Sequence, residues 1–363
     1  MVQELQKRSL AVLLYINNYP GPHECTLAQI VLAYGRPNAS ETITGTPTDP
    51  RAVVLFYDAG IELSGPIHPI SPPQAPATVV ATPLSALAQP TCSGKTVLSI
   101  VAHEDDDLLF MNPDHITDIQ NNDCMRTIYL TAGDAGLSSQ YWLGREQGAE
   151  VAYDTMTGLG RSVWIERTIE INSHEYIRMA SPRGDAAITL IFVRLPDGNL
   201  KGNGFWTTHY QSLAKLQAGT ITTIDSVDEQ STYSKQDLSD LLTNLMLYYQ
   251  PSEIDTQTPV NQSTAQPDHS DHMAAGSYAI EAYKQYIQGD PLRDIPLTFY
   301  TGYPIEQKPQ NVSGQLLSEK SAAFFAYAMY DSHVCNSVTA CANNTYGQWL
   351  QREYTYTPPA SSL

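Results

Sequence analysis

The sequence is short of positive charge and of long apolar runs. It has 20 Lys and Arg against 38 Asp and Glu, a formal net charge of -18, and no cluster of basic residues. Binding to a nucleic-acid backbone depends on such a cluster, so we expect no nucleic-acid partner. A membrane-spanning helix needs about 18 or more consecutive apolar residues. No stretch of the sequence reaches that length, so a membrane-spanning segment is not predicted.

Cysteine is also scarce, and its spacing excludes one common kind of zinc site. The paired spacings of a structural zinc site are absent among the five cysteines, which are Cys25, Cys92, Cys124, Cys335 and Cys341. Cys335 and Cys341 bracket a short loop, and Cys92 and Cys124 flank the first predicted strand unit. Two disulfides are therefore one interpretation, and free buried thiols in a cytosolic protein are the alternative.

Glycosylation sequons bear on the compartment in which the protein acts. The Asn-x-Ser/Thr pattern favours a secreted glycoprotein, or one that passes through the secretory pathway. It occurs at Asn38, Asn261, Asn311 and Asn343. The alternative location is the endoplasmic reticulum membrane, although the sequence itself offers no convincing membrane segment for it.

Residues 1–90 show no clear domain pattern. The apolar run at residues 9–16 follows Lys7 and Arg8 as the core of a signal peptide would, but it is short. Residues 75–90 end with a cleavage-like Ala86-Leu87-Ala88, which lies too deep for an ordinary signal peptide. One hypothesis is that the natural start lies downstream or that the first exons are joined incorrectly. We therefore separate residues 1–90 from a domain at residues 91–355.

Beyond residue 95, strand and helix patterns alternate. Apolar, β-branched runs predict buried strands, and apolar residues at helical spacing predict the helices between them. The predicted strands are residues 96–102, 126–131, 188–195, 253–256 and 296–300, and the predicted helices are 144–156, 234–249, 271–288 and 316–330. Such alternation is typical of an α/β fold with a mostly parallel sheet layered between helices.

Two polar stretches stand where predicted strands end. The first, His103 followed by four acids, comes directly after the strand at residues 96–102. The second, HSDH at residues 269–272, opens the helix after the strand at 253–256. Open α/β sheets bind ligands at the carboxyl ends of their strands. Adjacent carboxylates repel one another unless a cation offsets their charge, so the sequence predicts a divalent metal site.

These motifs carry a family resemblance. In chain order they are VAHEDDD, LTAGDAG, a helix with Arg145 and Glu146, and HSDH. Together they resemble the PIG-L (LmbE-like) family of zinc-dependent N-deacetylases over about residues 95–350. The resemblance implies a Rossmann-like fold, a Zn2+ cofactor or another divalent metal, and hydrolysis of acetamido groups on sugars such as N-acetylglucosamine.

The resemblance also implies residue roles. The metal ligands fall on His103, Asp106 and His272. The general base falls on Asp105, and the histidine that stabilises the oxyanion falls on His269, which we expect Asp271 to keep protonated. Two further residues, Arg145 and Asp134, are candidates for substrate contact. The alternatives are a helix-surface salt bridge for Arg145 and a turn-stabilising Asx contact for Asp134. The sequence departs from the family pattern at Glu104 and Asp107, which we expect at the rim of the site.

The predicted function is removal of the acetyl group from an N-acetylated sugar, glycolipid or polysaccharide. One alternative is the N-acetylglucosaminylphosphatidylinositol deacetylase of glycolipid anchor synthesis. Another is a non-catalytic, metal-dependent carbohydrate-binding protein, but such a protein would not need Asp105 and His269. Trp142, Trp164, Trp206 and Trp349 could form a sugar platform, although core packing is the more common role of tryptophan.

Overall fold

The computed structural model describes residues 81–357 apart from 159, 173–174, 261–266, 289 and 291–292, together with the backbone of three strands nearer the N-terminus. The chain divides into two compact units, Met1–Val79 and Val80–Leu363. Cys25, Asn38 and Asn261 lie outside the described residues.

The first unit contains an antiparallel sheet. Its strands are β1 (Leu10–Asn17), β2 (Ala39–Ile43) and β3 (Arg51–Asp58), in the order β1-β3-β2. The apolar run at residues 9–16 overlaps β1. The hypothesis that the natural start lies downstream of these residues stays a prediction.

The second unit is built on a nine-stranded sheet. Its order is β14-β13-β12-β5-β6-β9-β8-β7-β4. The strands are β4 (Thr82–Pro83), β5 (Thr96–Val101), β6 (Cys124–Thr131), β7 (Trp164–Asn172), β8 (Glu175–Pro182), β9 (Ile188–Leu195), β12 (Glu253–Gln257), β13 (Leu297–Tyr300) and β14 (Thr355–Tyr356). A separate hairpin is formed by β10 (Thr223–Asp225) and β11 (Thr232–Ser234).

The centre of this sheet is parallel, and its edges are mixed. Strands β13, β12, β5, β6 and β9 run parallel to one another, whereas β8 pairs antiparallel with both β7 and β9. The predicted α/β class with a mostly parallel sheet is therefore confirmed. The β7–β8 hairpin was not predicted, because its alternating pattern is broken by charged residues.

Helices cover both faces of the sheet. They are α1 (Asp106–Phe110), α2 (Asp114–Gln120), α3 (Ser139–Thr157), α4 (Leu213–Gln217), α5 (Lys235–Tyr249), α6 (Ser270–Tyr286), α7 (Gly314–Ala328), α8 (Val338–Cys341) and α9 (Thr345–Leu350). Short 3-10 turns occur at Leu84–Ala86, Trp206–Thr208 and Tyr303–Gln307. Ser234 caps α5 through a reciprocal pair of hydrogen bonds with Asp237, as its predicted N-cap position requires.

The central strand is buried on both sides. Leu98 and Ile100 of β5 belong to one core cluster, with residues of α5 and α6. Val97 and Val101 belong to a second cluster, with residues of α3 and α7. Because the two layers hold β5 in place, the residues that follow it leave the sheet from a fixed point.

Two disulfides form, at the pairs that the spacing suggested. Cys92 bonds to Cys124 and Cys335 to Cys341, with Cα atoms 5.9 and 5.3 Å apart. The first joins the segment before β5 to the start of β6. Among the helices of the described residues, none is long and apolar enough to span a bilayer.

Candidate active site

The carboxyl end of β5 leads into a tight turn and a short helix. β5 ends at Val101, and α1 begins at Asp106 with Asp105 as its N-cap residue. The Asp106 carboxylate accepts a hydrogen bond from the His103 backbone N–H (2.6 Å), and the Asp106 N–H donates to the His103 carbonyl (3.3 Å). This turn brings the His103 ring to the Asp106 carboxylate, with Nδ1 and Oδ2 3.1 Å apart.

The HSDH stretch reaches the same edge of the sheet. β12 pairs parallel with β5, with Asp255 opposite Ser99, so the carboxyl ends of the two strands lie side by side. His269 caps α6 by accepting the Asp271 N–H at Nδ1 (3.3 Å). His272 is completely buried in the first turn of α6. The structure thus brings together the two stretches that the sequence singled out.

The Asp106 carboxylate lies between two imidazoles. Its Oδ1 is 2.9 Å from His272 Nε2, and its Oδ2 is 3.1 Å from His103 Nδ1. His272 Nε2 is buried yet makes no hydrogen bond within the described residues. Ligand atoms of a tetrahedral zinc ion, each about 2.0–2.1 Å from the metal, lie about 3.3 Å from one another. The spacing of these atoms therefore fits His103, Asp106 and His272 as ligands.

Other groups of ligand atoms also converge here. The atoms of His103, His269 and His272 lie within 4.8 Å of one another, as do those of His103, His269, Asp197 and Asp271. Neither group includes Asp106, but each of its oxygens contacts an imidazole nitrogen within 3.1 Å. His269 Nδ1, by contrast, already accepts a backbone N–H. We therefore favour the set that contains Asp106.

Asp268 supports the His272 ring from outside this set. Its Oδ1 lies 2.8 Å from His272 Nδ1 and also accepts the backbone N–H groups of His269 (2.9 Å) and Tyr303 (3.0 Å). A carboxylate on one ring nitrogen orients the other nitrogen towards a metal. The sequence interpretation did not assign Asp268, although its position four residues before His272 was a usable signal.

The electrostatics of the cluster favour added positive charge. Burial disfavours a charged imidazole, but Asp106 and Asp268 raise the pKa of His272 to about 9. Asp106 likewise raises the pKa of His103 well above its usual value, against the effect of burial. In return, and despite burial, His272 and His103 hold the pKa of Asp106 well below its usual range. Bound protons or a bound divalent cation would each supply this positive charge.

Asp105 lies beside the cluster and pairs with Arg145. Its Oδ1 accepts a hydrogen bond from Arg145 Nη2 at 2.7 Å. Burial raises the pKa of Asp105, against the opposing charge of Arg145. A carboxylate with a raised pKa is a better proton acceptor near neutral pH.

Arg145, from α3, is enclosed by protein partners. Its Nη1 donates to the Gly133 carbonyl and its Nε to the Tyr327 hydroxyl, both at 2.6 Å, and Nε lies 3.2 Å from Asp331. Gly133 has a φ of +49°, and a Cβ there would collide with the guanidinium. The guanidinium thus forms an ion pair with Asp105, which is the salt-bridge alternative in a buried setting, and substrate contact by Arg145 stays a prediction. The sequence interpretation missed Tyr327 and Asp331, which no local pattern marks.

Glu104 and Asp107 are buried, so the expectation that they lie at the rim is wrong. Asp107 Oδ2 accepts hydrogen bonds from the hydroxyls of Tyr129 (3.1 Å) and Tyr153 (2.8 Å). Glu104 Oε2 lies 3.4 Å from Arg145 Nε. Burial raises the pKa of Glu104 to about 8 and that of Asp107 to about 6. At neutral pH Glu104 is therefore mostly uncharged, which reduces repulsion within the acidic run.

His269 does not carry the expected positive charge. Asp271 Oδ2 lies 3.7 Å from His269 Nδ1, but it also accepts the Gly198 N–H (2.7 Å) and lies 3.5 Å from His103 Nε2. Burial, followed by the charge of His103, lowers the pKa of His269 to about 4, and Asp271 only partly offsets this. The imidazole is neutral at neutral pH. Because Nδ1 accepts the Asp271 N–H, its proton is on Nε2.

Residues 98–283, just over half of the chain, match the family model described as PIG-L: GlcNAc-PI de-N-acetylase. The chain belongs to the PIG-L family. The predicted family is confirmed, and with it the predicted enzyme class, a hydrolytic deacetylase. No match to the sequence is found among curated proteins.

Solved structures similar to this PIG-L chain have diverse activities. N,N'-diacetylchitobiose deacetylase from Pyrococcus horikoshii is 14% identical, with 68% of this chain and 75% of that chain covered and a TM-score of 0.37. The zinc-inhibited form of teicoplanin deacetylase is 15% identical, with 70% of this chain and 90% of that chain covered and a TM-score of 0.38. The 4-carboxy-2-hydroxymuconate hydratase from Pseudomonas putida is 14% identical, with 69% of this chain and 89% of that chain covered and a TM-score of 0.36. At such values the likeness carries no inference about activity.

Asp134, in the LTAGDAG loop of the PIG-L domain, stabilises a turn. Its Oδ2 accepts the Gly136 N–H (2.9 Å), and its Oδ1 accepts the Asp197 N–H (2.8 Å). The residue is 1% exposed. The first contact closes the loop itself and the second joins it to the loop after β9, as in the turn-stabilising alternative, and substrate contact by Asp134 stays a prediction.

The tryptophans of the PIG-L domain do not form a shared platform. Trp142 and Trp349 are buried, and Trp164 is half-buried and donates to Asp154. Trp206 is 74% exposed. Core packing therefore explains Trp142 and Trp349, as the more common role of tryptophan predicts.

Proposed function

We propose that this PIG-L protein is a zinc-dependent hydrolase that removes the acetyl group from an N-acetylated sugar. The observation that carries the proposal is one arrangement of carboxylates. Asp106 contacts an imidazole nitrogen with each of its oxygens, and the next residue back, Asp105, is turned to Arg145. This arrangement supports a metal-binding role for Asp106 and a proton-transfer role for Asp105.

His103, Asp106 and His272 would hold the cation. A bound zinc ion polarises an amide carbonyl and lowers the pKa of a water molecule from about 16 towards 7. The donor set of two imidazoles and one carboxylate is one that catalytic zinc sites use, with a fourth position left for water. The short distance of 2.9 Å between His272 Nε2 and Asp106 Oδ1, both buried, supports this assignment.

Asp105 would accept the proton of the attacking water and return it to the leaving amine nitrogen. Three features support this role: its burial, its raised pKa and the fixed contact with Arg145. Because Arg145 is itself bound by Gly133 and Tyr327, the carboxylate needs little reorganisation during the reaction.

His269 would stabilise the oxyanion as a neutral hydrogen-bond donor. Its Nδ1 accepts the Asp271 N–H, which leaves Nε2–H free to donate. A single donor of this kind contributes on the order of 3 kcal/mol to transition-state stabilisation. Asp271, held by the Gly198 N–H, would position the ring without protonating it.

The proposal is tested by acetate release from a panel of N-acetylhexosamines and their oligomers. The purified chain is stripped of metal with a chelator and then reconstituted with zinc. We expect acetate release only after reconstitution. If the zinc-loaded chain binds these sugars and releases no acetate, it is a binding protein and the proposed activity is wrong.

We further propose a secretory-pathway location. The two disulfides support it, because disulfides persist in oxidising compartments. The natural protein should then contain no free thiol at Cys92, Cys124, Cys335 or Cys341, and enzymatic removal of N-glycans should lower its apparent mass. Free thiols at these positions in freshly isolated natural protein would contradict the proposal.

A further inference from the structure

An aromatic wall stands beside the metal-ligand cluster. Its members are Tyr303, Tyr346 and Trp349, all beyond the residues matched by the family model. The Tyr303 ring lies 4.9 Å from the His272 ring and stacks on Trp349 at 4.6 Å, with 7° between the planes. The Tyr346 ring meets Trp349 edge-on at 5.0 Å. We call these three residues the aromatic wall.

The wall is fixed to the site from both ends. The Tyr303 backbone N–H donates to the same Asp268 oxygen that contacts His272 (3.0 Å). Tyr346 stacks on Phe324 of α7, at 5.6 Å. The rings are thus positioned by the helix that also supplies Tyr327 to Arg145. A wall held in this way presents its free groups at a constant distance from the ligands.

The two tyrosine hydroxyls of the wall are unused. Neither the Tyr303 nor the Tyr346 hydroxyl makes a hydrogen bond to any described residue, although both side chains are only partly exposed. By contrast, the hydroxyls of Tyr129, Tyr153 and Tyr327 all donate to a carboxylate. Neither hydroxyl is among the buried unpaired atoms of the described residues, so both are accessible from outside the protein and can bind a ligand.

The wall lies beside the proposed reacting groups. The Tyr303 ring is 4.9 Å from the His272 ring and 6.1 Å from the His269 ring. Tyr346 is joined to Tyr303 through Trp349, which both rings contact. A phenol with an ordinary pKa of about 10 carries its proton at neutral pH, so each hydroxyl can donate a hydrogen bond.

We propose that Tyr303 and Tyr346 bind the substrate, with their hydroxyls donating to oxygen atoms of the sugar that carries the reacting amide. This inference rests on the proposed function and names two contact residues for it. Their partner is a neutral, polyhydroxylated ring, because a sugar offers several acceptor oxygens within a few ångströms of its N-acetyl group.

The charged groups of the site favour a neutral substrate over one that carries a phosphate. Asp105, Asp106 and Asp271 are buried carboxylates within the site. The guanidinium of Arg145 is already bound by Asp105, Gly133 and Tyr327. A phosphate close to the reacting ring would therefore lie near carboxylates and find this guanidinium occupied.

The test compares Tyr303→Phe and Tyr346→Phe with Tyr356→Phe, which removes an exposed hydroxyl from β14. Each change keeps the ring, so folding should be unaffected. For the zinc-loaded enzymes, KM and kcat are measured for N,N'-diacetylchitobiose. Sugar binding is measured separately by calorimetry in an Asp105→Asn background, which does not depend on turnover.

We expect the first two variants to weaken sugar binding and raise KM about tenfold, which is the effect of one lost hydrogen bond in a buried site. Zinc content and melting temperature should not change, and Tyr356→Phe should match the parent. Binding constants within twofold of the parent for both site variants would overturn the inference. Loss of zinc in either variant would also overturn it, because the role would then be structural.

A second arm compares N-acetylglucosamine with its 6-phosphate. We expect a kcat/KM at least tenfold higher for the neutral sugar, and a preference for the phosphate would overturn the substrate class. If the chain binds sugar through Tyr303 and Tyr346 but releases no acetate, the proposed function fails and the contact assignment stands. If it neither binds nor hydrolyses any of these sugars, both proposals fail.

Discussion

Arg145 Nη2 donates to Asp105 Oδ1 at 2.7 Å in the protein interior. The two residues come from α3 and from the turn after β5, and the Arg145 guanidinium is held in turn by Tyr327 of α7. The position of the proposed base thus depends on three separate elements. A carboxylate fixed in this way is oriented before substrate arrives, which favours proton transfer.

Arg145→Lys should lower kcat without a matching change in KM. A lysine cannot contact Asp105, Gly133 and Tyr327 together, because it lacks the planar fork of the guanidinium. A base displaced by about 1 Å can cost on the order of 100-fold in rate, so we expect kcat to fall 10- to 100-fold at unchanged zinc content. Arg178→Lys, in the ion pair with Glu166, is the matched control. Wild-type kcat in Arg145→Lys would contradict the account.

Asp268→Asn should weaken zinc binding. The carboxylate lies 2.8 Å from His272 Nδ1 and orients the ring, and loss of such a partner typically costs 10- to 100-fold in metal affinity. Competition with a chromophoric chelator measures the dissociation constant. Asp294→Asn, which alters the carboxylate bound by the Tyr283 hydroxyl, serves as control. Equal zinc affinity in Asp268→Asn and the parent would show that Asp268 does not support the metal site.

Glu150→Gln should stabilise the protein at alkaline pH. Burial, followed by the charge of Glu146, raises the pKa of Glu150 to about 8, well above the value of about 4.3 in an unfolded chain. The folded state therefore favours the protonated form, and this contribution is complete below about pH 4.3 and lost as pH rises towards 8. Melting temperatures of the variant and parent should coincide at pH 4 and diverge by pH 9, with the variant higher. A constant difference across this range would contradict the prediction.

The two disulfides should stabilise the fold unequally. Cys92 and Cys124 are separated by 32 residues, and Cys335 and Cys341 by 6. Loop-closure entropy then gives about 4 kcal/mol for the first bond and about 2 kcal/mol for the second. Denaturant unfolding of the Cys92→Ala/Cys124→Ala and Cys335→Ala/Cys341→Ala double variants measures both values. A larger loss from the second pair would show that loop length does not decide the difference.

The sequence predicts the part of the site that depends on local patterns. An apolar, β-branched strand followed by His103 and its acids, and a helix that starts at HSDH, are each visible within about ten residues. Because parallel strands end at one edge of a sheet, the pattern also predicted that the two stretches would meet, and β5 and β12 are neighbours. The ligand spacing then follows from a turn and the first turn of a helix.

The rest of the site depends on contacts between distant residues. Buried Asp107 depends on the hydroxyls of Tyr129 and Tyr153, which lie 22 and 46 residues away along the chain. Buried Glu104 depends on Arg145, which lies 41 residues away. Because these partners are distant in the sequence, sequence reasoning predicts that the acidic run lies at the surface. In the same way, no local pattern brings Tyr327, 182 residues beyond Arg145, to the base.

The charge of His269 is decided by the same kind of contact. Proximity in sequence to Asp271 predicted an imidazolium. The fold adds burial and the neighbouring His103, and together these outweigh the carboxylate. The pKa of His269 is the sum of several through-space effects, so it could not be predicted from the spacing of two residues in the sequence.

The central claim is that Asp105 carries out proton transfer beside a zinc ion held by His103, Asp106 and His272. It is tested most directly by acetate release from N,N'-diacetylchitobiose by the parent and by Asp105→Asn, at equal and measured zinc content. The account predicts that Asp105→Asn binds zinc as the parent does and loses at least about 100-fold in kcat. Full activity in Asp105→Asn, or acetate release by the parent that persists after zinc is removed, would contradict it.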